Sequence, residues 1–188
     1  MSDAFLSFIS EIVPLTNEVK ETIARKITVV SYPRKTILLR EGEFHQHLYF
    51  VKKGILRTYV IRDTEEMTSL FFMENDFLVS SYRFVNEPSR EYIEVVEDAE
   101  LVEIKYDDLL ESYESCPQMN YVARVILERH FFRVYNRLIS LLQLQAAERY
   151  AMLLKEQPDL FQRVPLSHIA SYIGIRKESL SRIRRLLK

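Results

Sequence analysis

Pro165-Leu-Ser-His-Ile-Ala-Ser-Tyr-Ile-Gly-Ile-Arg-Lys-Glu-Ser-Leu-Ser-Arg-Ile-Arg-Arg-Leu-Leu-Lys188 is the stretch on which the reading of this chain turns. Ile169 and Ile173 share one face of a helix by their i, i+4 spacing. Ala170 leaves room for a second helix to approach, and Gly174 supplies a turn conformation that other residues resist. Ile175, Leu180 and Ile183 then anchor that second helix, whose other face carries Arg176, Lys177, Glu178, Ser181, Arg182 and Arg185. The pattern is that of a helix-turn-helix, and its basic face fits a DNA major groove. The plainer reading is a helical hairpin with a solvated basic face. The simultaneous match of the small, turn and apolar positions favours the helix-turn-helix, and Gly174 is one of only three glycines in 188 residues.

The charge distribution points the same way. The whole chain is nearly neutral, at −1, but residues 1–115 hold 22 acidic and 13 basic residues, a net of −9. Residues 116–188 hold 5 acidic and 13 basic residues, a net of +8. An acidic sensing half joined to a half that seeks phosphate would be divided in this way.

Upstream, Phe5, Leu6, Phe8, Ile9, Ile12 and Val13 recur at helical spacing until Pro14, and a second helical piece spans about 17–25. From Ile27 to Ile104 short apolar runs alternate with polar turns. Strands are expected at 28–31, 36–39, 48–52, 55–62, 67–73, 92–96 and 99–105, with turns at Glu41-Gly42-Glu43, Lys53-Gly54 and Arg62-Asp63-Thr64-Glu65. Many short strands at this spacing imply an antiparallel barrel or jelly roll, hence an α+β chain.

From Asp107 the pattern is helical again, and a long helix begins near Pro117, where proline suits the first turn. Within it Leu127, Phe131, Val134, Leu138 and Leu141 are spaced 4, 3, 4, 3, a heptad seam suited to a partner helix. Val122, Ile126, Ile139 and Leu142 widen the apolar surface, so the helix is expected to face both its own barrel and a second copy. A further helix at 146–156 and a connector at 157–165 lead into the helix-turn-helix. The expected organisation is a sensor domain at 1–115, a dimerisation helix at 116–145 and a DNA-binding domain at 146–188.

Composition excludes several classes. One cysteine, Cys116, rules out a disulfide framework within the chain and a cysteine-ligated cluster from one subunit. No apolar run approaches the ~20 residues of a membrane span. The N-terminus lacks the basic start of a signal peptide, so a cytoplasmic protein is expected.

Helix, barrel, heptad helix and helix-turn-helix, in that order, resemble the Crp/Fnr superfamily of transcription regulators. In the barrel half the resemblance rests on Ile37-Leu-Leu-Arg-Glu-Gly-Glu43, Leu48-Tyr-Phe-Val-Lys-Lys-Gly-Ile-Leu-Arg57 and Asn75-Asp-Phe-Leu78. These look like the family's cyclic-nucleotide-binding fold, with its turn glycines at Gly42 and Gly54. In the DNA half it rests on the opening stretch and on Ala147-Glu-Arg-Tyr-Ala151. The resemblance implies a homodimer on an inverted-repeat operator, with RNA polymerase as a further partner. It also implies base-reading roles for Lys177, Glu178 and Arg182, and phosphate contacts for Ser167, Arg176, Ser179 and Arg185. Many family members continue into a β-hairpin wing. This sequence stops at Lys188, so no wing contacts are expected.

The family's phosphate-binding cassette is altered here. Val79-Ser80 stands where Gly-Glu is usual, and Arg90 falls at the phosphate-binding arginine, preceded by Ser89. Glu91 follows where a small hydroxyl residue is usual, and a carboxylate there repels an anion. Ser80, Ser89 and Arg90 are therefore candidate ligand residues in a degenerate cassette. No cyclic nucleotide and no other cofactor is expected, and any small-molecule effector is of another kind. Haem would have only His45, His47 and Cys116 to draw on, and no ligand pair stands out among them.

Two competing classes remain. A jelly roll with His45-x-His47 invites a cupin-like metal enzyme, but Gly42 lies too close to His45 and no Asp or Glu occurs in the five residues after His47. A catalytic metal normally needs three protein ligands, so no metal site is expected and both histidines read as exposed turn residues. The other alternative is an interaction module that binds no DNA.

Overall fold

The computed structural model describes residues 3–186. Helices α1 (Asp3–Ile12) and α2 (Asn17–Arg25) precede six strands: β1 (Ile27–Tyr32), β2 (Ile37–Leu39), β3 (His47–Arg62), β4 (Glu65–Phe72), β5 (Phe77–Leu78) and β6 (Tyr92–Lys105). A 3-10 turn, Ser81–Val85, lies between β5 and β6. Then follow α3 (Tyr106–Ser115), α4 (Pro117–Gln143), α5 (Ala146–Glu156), α6 (Leu160–Arg163), α7 (Leu166–Ile173) and α8 (Lys177–Leu186). The chain is α+β, as the sequence leads one to expect.

The sheet runs β1-β6-β3-β4, all antiparallel, with β2 added to β6 and β5 to β3. It differs from a barrel in one respect: β1 and β4 end the order and do not pair, so among the described residues it is not closed. A second difference concerns strand number. Lys53-Gly54 does not end a strand; β3 passes through it, and β6 likewise joins two expected strands. The cause is Gly54, with φ +94°, around which the β3–β6 register slips. A Cβ on Gly54 would lie 2.6 Å from the Asp98 carbonyl oxygen and 2.7 Å from the Ala99 Cα. Only glycine lets the two long strands kink together at that point.

The sheet separates three apolar clusters. Val51, Leu56, Phe72, Ile93 and Leu101 fill its interior. Phe5 and Ile9 of α1 pack with Phe50, Val102, Met119 and Val122, so the first half of α4 is tied to the sheet. Ile55, Phe71 and Val96 carry the helix-turn-helix through Leu160, Ile169, Ile173 and Leu180. The connector at 157–165 contains the short helix α6, whose Leu160 is fully buried there. No helix among the described residues is long and apolar enough to cross a membrane.

Candidate nucleic-acid interface and barrel cavity

Helices α7 and α8 meet at Gly174, which adopts φ +78°, ψ +36° and closes α7. The Ile175 N–H returns to the Ala170 carbonyl at 3.0 Å, the long bond of a Schellman turn. Ile169, Ala170, Ile173 and Leu180 are buried and fix the angle between the helices. α8 carries Glu178 in its first turn and Arg184 and Arg185 in its last, the order the helix dipole favours. Lys177, Glu178, Arg182 and Arg185 are all exposed, as is Arg176 just before the helix. Ser179 is half-buried, and Ser167 is exposed in the first turn of α7.

The helix-turn-helix is seated on the sheet edge. The Thr68 N–H of β4 donates to Ser171 Oγ at 3.2 Å, and Ser171 Oγ lies 2.8 Å from Thr68 Oγ1, to which it donates. Behind Thr68 stands Arg57, 1% exposed. Its guanidinium bonds Thr68 Oγ1 at 3.2 Å, Glu94 at 2.7 Å and Glu66, and it stacks over Tyr59. Arg163 closes a second link from the connector, reaching Glu97 at 2.7 Å and Glu74 at 2.6 Å. That pair holds the Glu74 carboxyl down at about 2. α4 and α5 join from the other side: Arg137 bonds the Tyr172 carbonyl and lies over its ring, and Arg149 bonds the Ile173 carbonyl at 2.7 Å.

This seating puts the start of α8 beside the sheet. Ser167, Arg176, Lys177 and Glu178 line a cleft of about 750 Å³ whose other wall carries Thr64, Glu65 and Glu66 from the end of the β3–β4 hairpin. Arg182 and Arg185 are not part of that lining. His168, in the same cleft, is held down at about 4, first by burial and then by the Arg57 charge.

On α4, Leu127, Phe131, Val134, Leu138 and Leu141 are all exposed large apolar residues, with Phe131 at 70%. Their opposite face is occupied: Met119 and Val122 are buried, and Arg133 bonds Asp76 at 2.9 Å while its guanidinium lies over Phe72. Half of the helix is committed to its own sheet and the heptad stripe is left uncovered.

The candidate ligand residues of the sheet domain are not gathered around one space. Ser80 and Ser89 are buried, 3.4 Å apart through their hydroxyls. The Ser80 N–H donates to His45 Nδ1 at 2.9 Å, and Ser89 bonds the Glu91 carbonyl at 2.8 Å. Arg90 points to solvent, with Glu87 3.9 Å from its guanidinium. His45 is not the exposed turn residue expected. It is 3% exposed and serves as the acceptor that fixes Ser80, and burial lowers it to about 3, hence neutral. His47 is half-buried at the start of β3. Among the described residues no three His, Cys, Asp or Glu side chains are grouped as metal ligands.

Glu91, not Arg90, faces a cavity of about 450 Å³ bounded by Thr58 and Leu70 of the sheet, His130 and Leu138 of α4, and Ser171 of α7. Burial pushes its carboxyl up to about 7. The reason sequence reasoning misplaces Arg90 is local. Ser89 turns inward and its Oγ bonds both the N–H and the carbonyl of Glu91; across this bend, just before β6, Arg90 is left at the surface and Glu91 lines the cavity. Arg57, Arg137 and Arg149, which seat the helix-turn-helix, were also missed.

Residues 29–116 match the family model of the cyclic nucleotide-binding domain. No curated protein matches the chain. Among solved structures, the chain is similar to the c-di-GMP responsive global regulator CLP of Xanthomonas campestris. The TM-score is 0.73 at 20% identity, over 92% of this chain and 91% of that one. It is similar to FixK2 of Bradyrhizobium japonicum, with a TM-score of 0.75 at 19% identity over 86% and 84% of the two chains. The catabolite activator protein of Thermus thermophilus gives 0.58 at 20% identity over 96% and 86%. The fold is therefore shared with these three proteins.

Proposed function

We propose that this chain is a Crp/Fnr-type transcription regulator that binds an inverted-repeat operator as a homodimer. One observation carries the reading: Lys177, Glu178, Arg182 and Arg185 are exposed together on a helix held from behind by Leu180 and turned at Gly174. Lys177 and Arg182 have the donors to read guanine O6 and N7, and Glu178 can accept from a cytosine amino group. Ser167, Arg176, Ser179 and Arg185 flank them as phosphate contacts, which fix register without reading sequence. The exposed α4 stripe supports the dimer, because a matching stripe on a second copy would cover five large apolar side chains. On DNA, such a dimer would work in the cytoplasm and act by presenting itself to RNA polymerase.

Its sheet domain takes no cyclic nucleotide. Arg90 is turned outward and Glu91 inward, so a cyclic phosphate in the cavity would meet a carboxylate rather than a guanidinium. The paired arrangement His45–Ser80 supports a structural role for the histidine that a cupin-like enzyme would need as a ligand.

A gel-shift titration of genomic DNA fragments at rising salt tests the reading. Shifted complexes whose affinity falls steeply with salt support it. A chain that shifts no fragment even at low salt is an interaction module instead.

A further inference from the structure

Helices α4 and α7 end within reach of one side chain, and neither carries a basic residue in its own last turn. The carbonyls at such an end bear a partial negative charge, about −0.5, that a nearby cation stabilises. Arg149 supplies one cation to both ends. Its Nε donates at 2.7 Å to the carbonyl of Ile173, the last residue of α7, and its Nη1 donates to the carbonyl of Leu144, which caps α4. The remaining nitrogen, Nη2, stands 3.7 Å from where a Cβ on Gly174 would lie, so the guanidinium also lies against the turn of the helix-turn-helix.

Within its own helix Arg149 is badly placed. It is the fourth residue of α5, near the end at which the helix dipole disfavours a cation. A local rule broken in this way points to a role outside α5. Only Leu144 and Gln145 separate α4 from α5, and the reciprocal bonds of Gln145 and Glu148 fix how α5 begins. Arg149 therefore stands at the joint between the long helix and everything that follows it. The other ties of the helix-turn-helix act elsewhere. Ser171 and Arg163 hold its flank to the sheet, and Arg137 bonds the carbonyl of Tyr172, one residue before the end of α7. Among the described residues, Arg149 alone bonds the ends of both helices.

We propose that Arg149 is a positioning residue that sets the spacing between the half-sites this protein reads. In a twofold dimer paired along α4, the direction in which α7 and α8 leave α4 decides how far apart the two α8 helices lie. A guanidinium is a rigid planar fork that serves two carbonyls at once in one geometry, whereas an ammonium is a point charge on a flexible stem. The consequence for DNA rests on the regulator reading; the fixing of α7 and α8 relative to α4 does not.

The test has two arms, both on the full chain, with wild type set against Arg149→Met and Arg149→Lys. The first uses no DNA. Nitroxide labels on Glu128→Cys of α4 and Ser181→Cys of α8, both exposed positions, report the distance between these helices in a Cys116→Ser background. Labelled chain is diluted into an excess of unlabelled chain, so that one protomer is read at a time. Wild type should give a narrow distribution, Arg149→Met a displaced or broader one, and Arg149→Lys one between them. In the second arm, half-sites selected by the wild type are rebuilt with their spacing changed by single base pairs, each of which turns one half-site by roughly a tenth of a helical turn. Wild type should favour its best spacing over the neighbouring ones by at least about tenfold, and Arg149→Met should bring that ratio to about threefold or less while still binding the best spacing. A residue needed only for folding would weaken every spacing by the same factor. Circular dichroism checks that each variant is folded, and Arg149→Lys serves if Arg149→Met is not. The proposal is overturned if the folded variants keep the wild-type distance distribution, or if their affinity falls equally at all spacings. If the wild type binds no DNA, the regulator reading fails, and the first arm decides by itself whether Arg149 fixes the helices.

Discussion

Ser171 Oγ, in the first helix of the helix-turn-helix, sits 2.8 Å from Thr68 Oγ1 on the sheet edge, 103 residues away in sequence. Thr68 is buried, and its N–H also depends on Ser171 Oγ. Ser171→Ala therefore strands a buried donor and should lower stability by about 1–3 kcal/mol. Denaturant titration checks this; an unchanged midpoint would mean that the apolar contacts alone seat the helix-turn-helix.

The α4 stripe leads to a second expectation. The wild-type chain should sediment as a dimer at micromolar concentration, and Phe131→Glu should sediment as a monomer, because a dimer would bury its charge without a partner. Phe131 is 70% exposed in the single chain, so the substitution leaves the monomer's own packing alone. A wild-type monomer would remove the seam.

The raised carboxyl of Glu91 fixes a pH dependence. Its folded-state value, about 7, lies above the ordinary 4.5, so the folded chain binds the proton more tightly. Stability from this group is present below the ordinary value and is lost as pH rises through 7. Glu91→Gln should match wild type at about pH 4 and exceed it at about pH 8 in denaturant titrations. His45 and His168 oppose this: lowered to about 3 and 4, they take up protons on unfolding and favour the folded chain as pH rises toward 6.5. Equal wild-type and Glu91→Gln stabilities at both pH values would show that Glu91 meets water.

On α8 the two roles separate by substitution. Arg182→Ala should cost roughly 1–3 kcal/mol on the matched operator and relax preference at one base pair of each half-site. Arg185→Ala should weaken all sequences alike and flatten the salt dependence. Identical behaviour of both variants on matched and mismatched operators would contradict the division.

The parts legible in the sequence were those whose local pattern has one physical solution. Ala170, Gly174 and the aliphatic spacing fix α7 and α8, and the heptad from Leu127 to Leu141 fixes the open face of α4. What stayed hidden depended on distant neighbours. Gly54 reads as a turn because its partner in the kink, Asp98, lies 44 residues on, and the strand continues through it. His45 reads as exposed because its acceptor role exists only once Ser80 is folded against it. Arg57 has the composition of a surface residue on a strand. Its burial requires Glu66, Thr68 and Glu94 from two other strands to assemble around it.

The most direct measurement of the central claim is selection of bound fragments from genomic DNA by the purified full chain at about 0.15 M salt, followed by sequencing. The expected result is a shared inverted repeat with half-site centres about 10 base pairs, or a multiple of that, apart. Fragments with no common sequence, or with a single unpaired half-site, would contradict a dimeric reader of DNA.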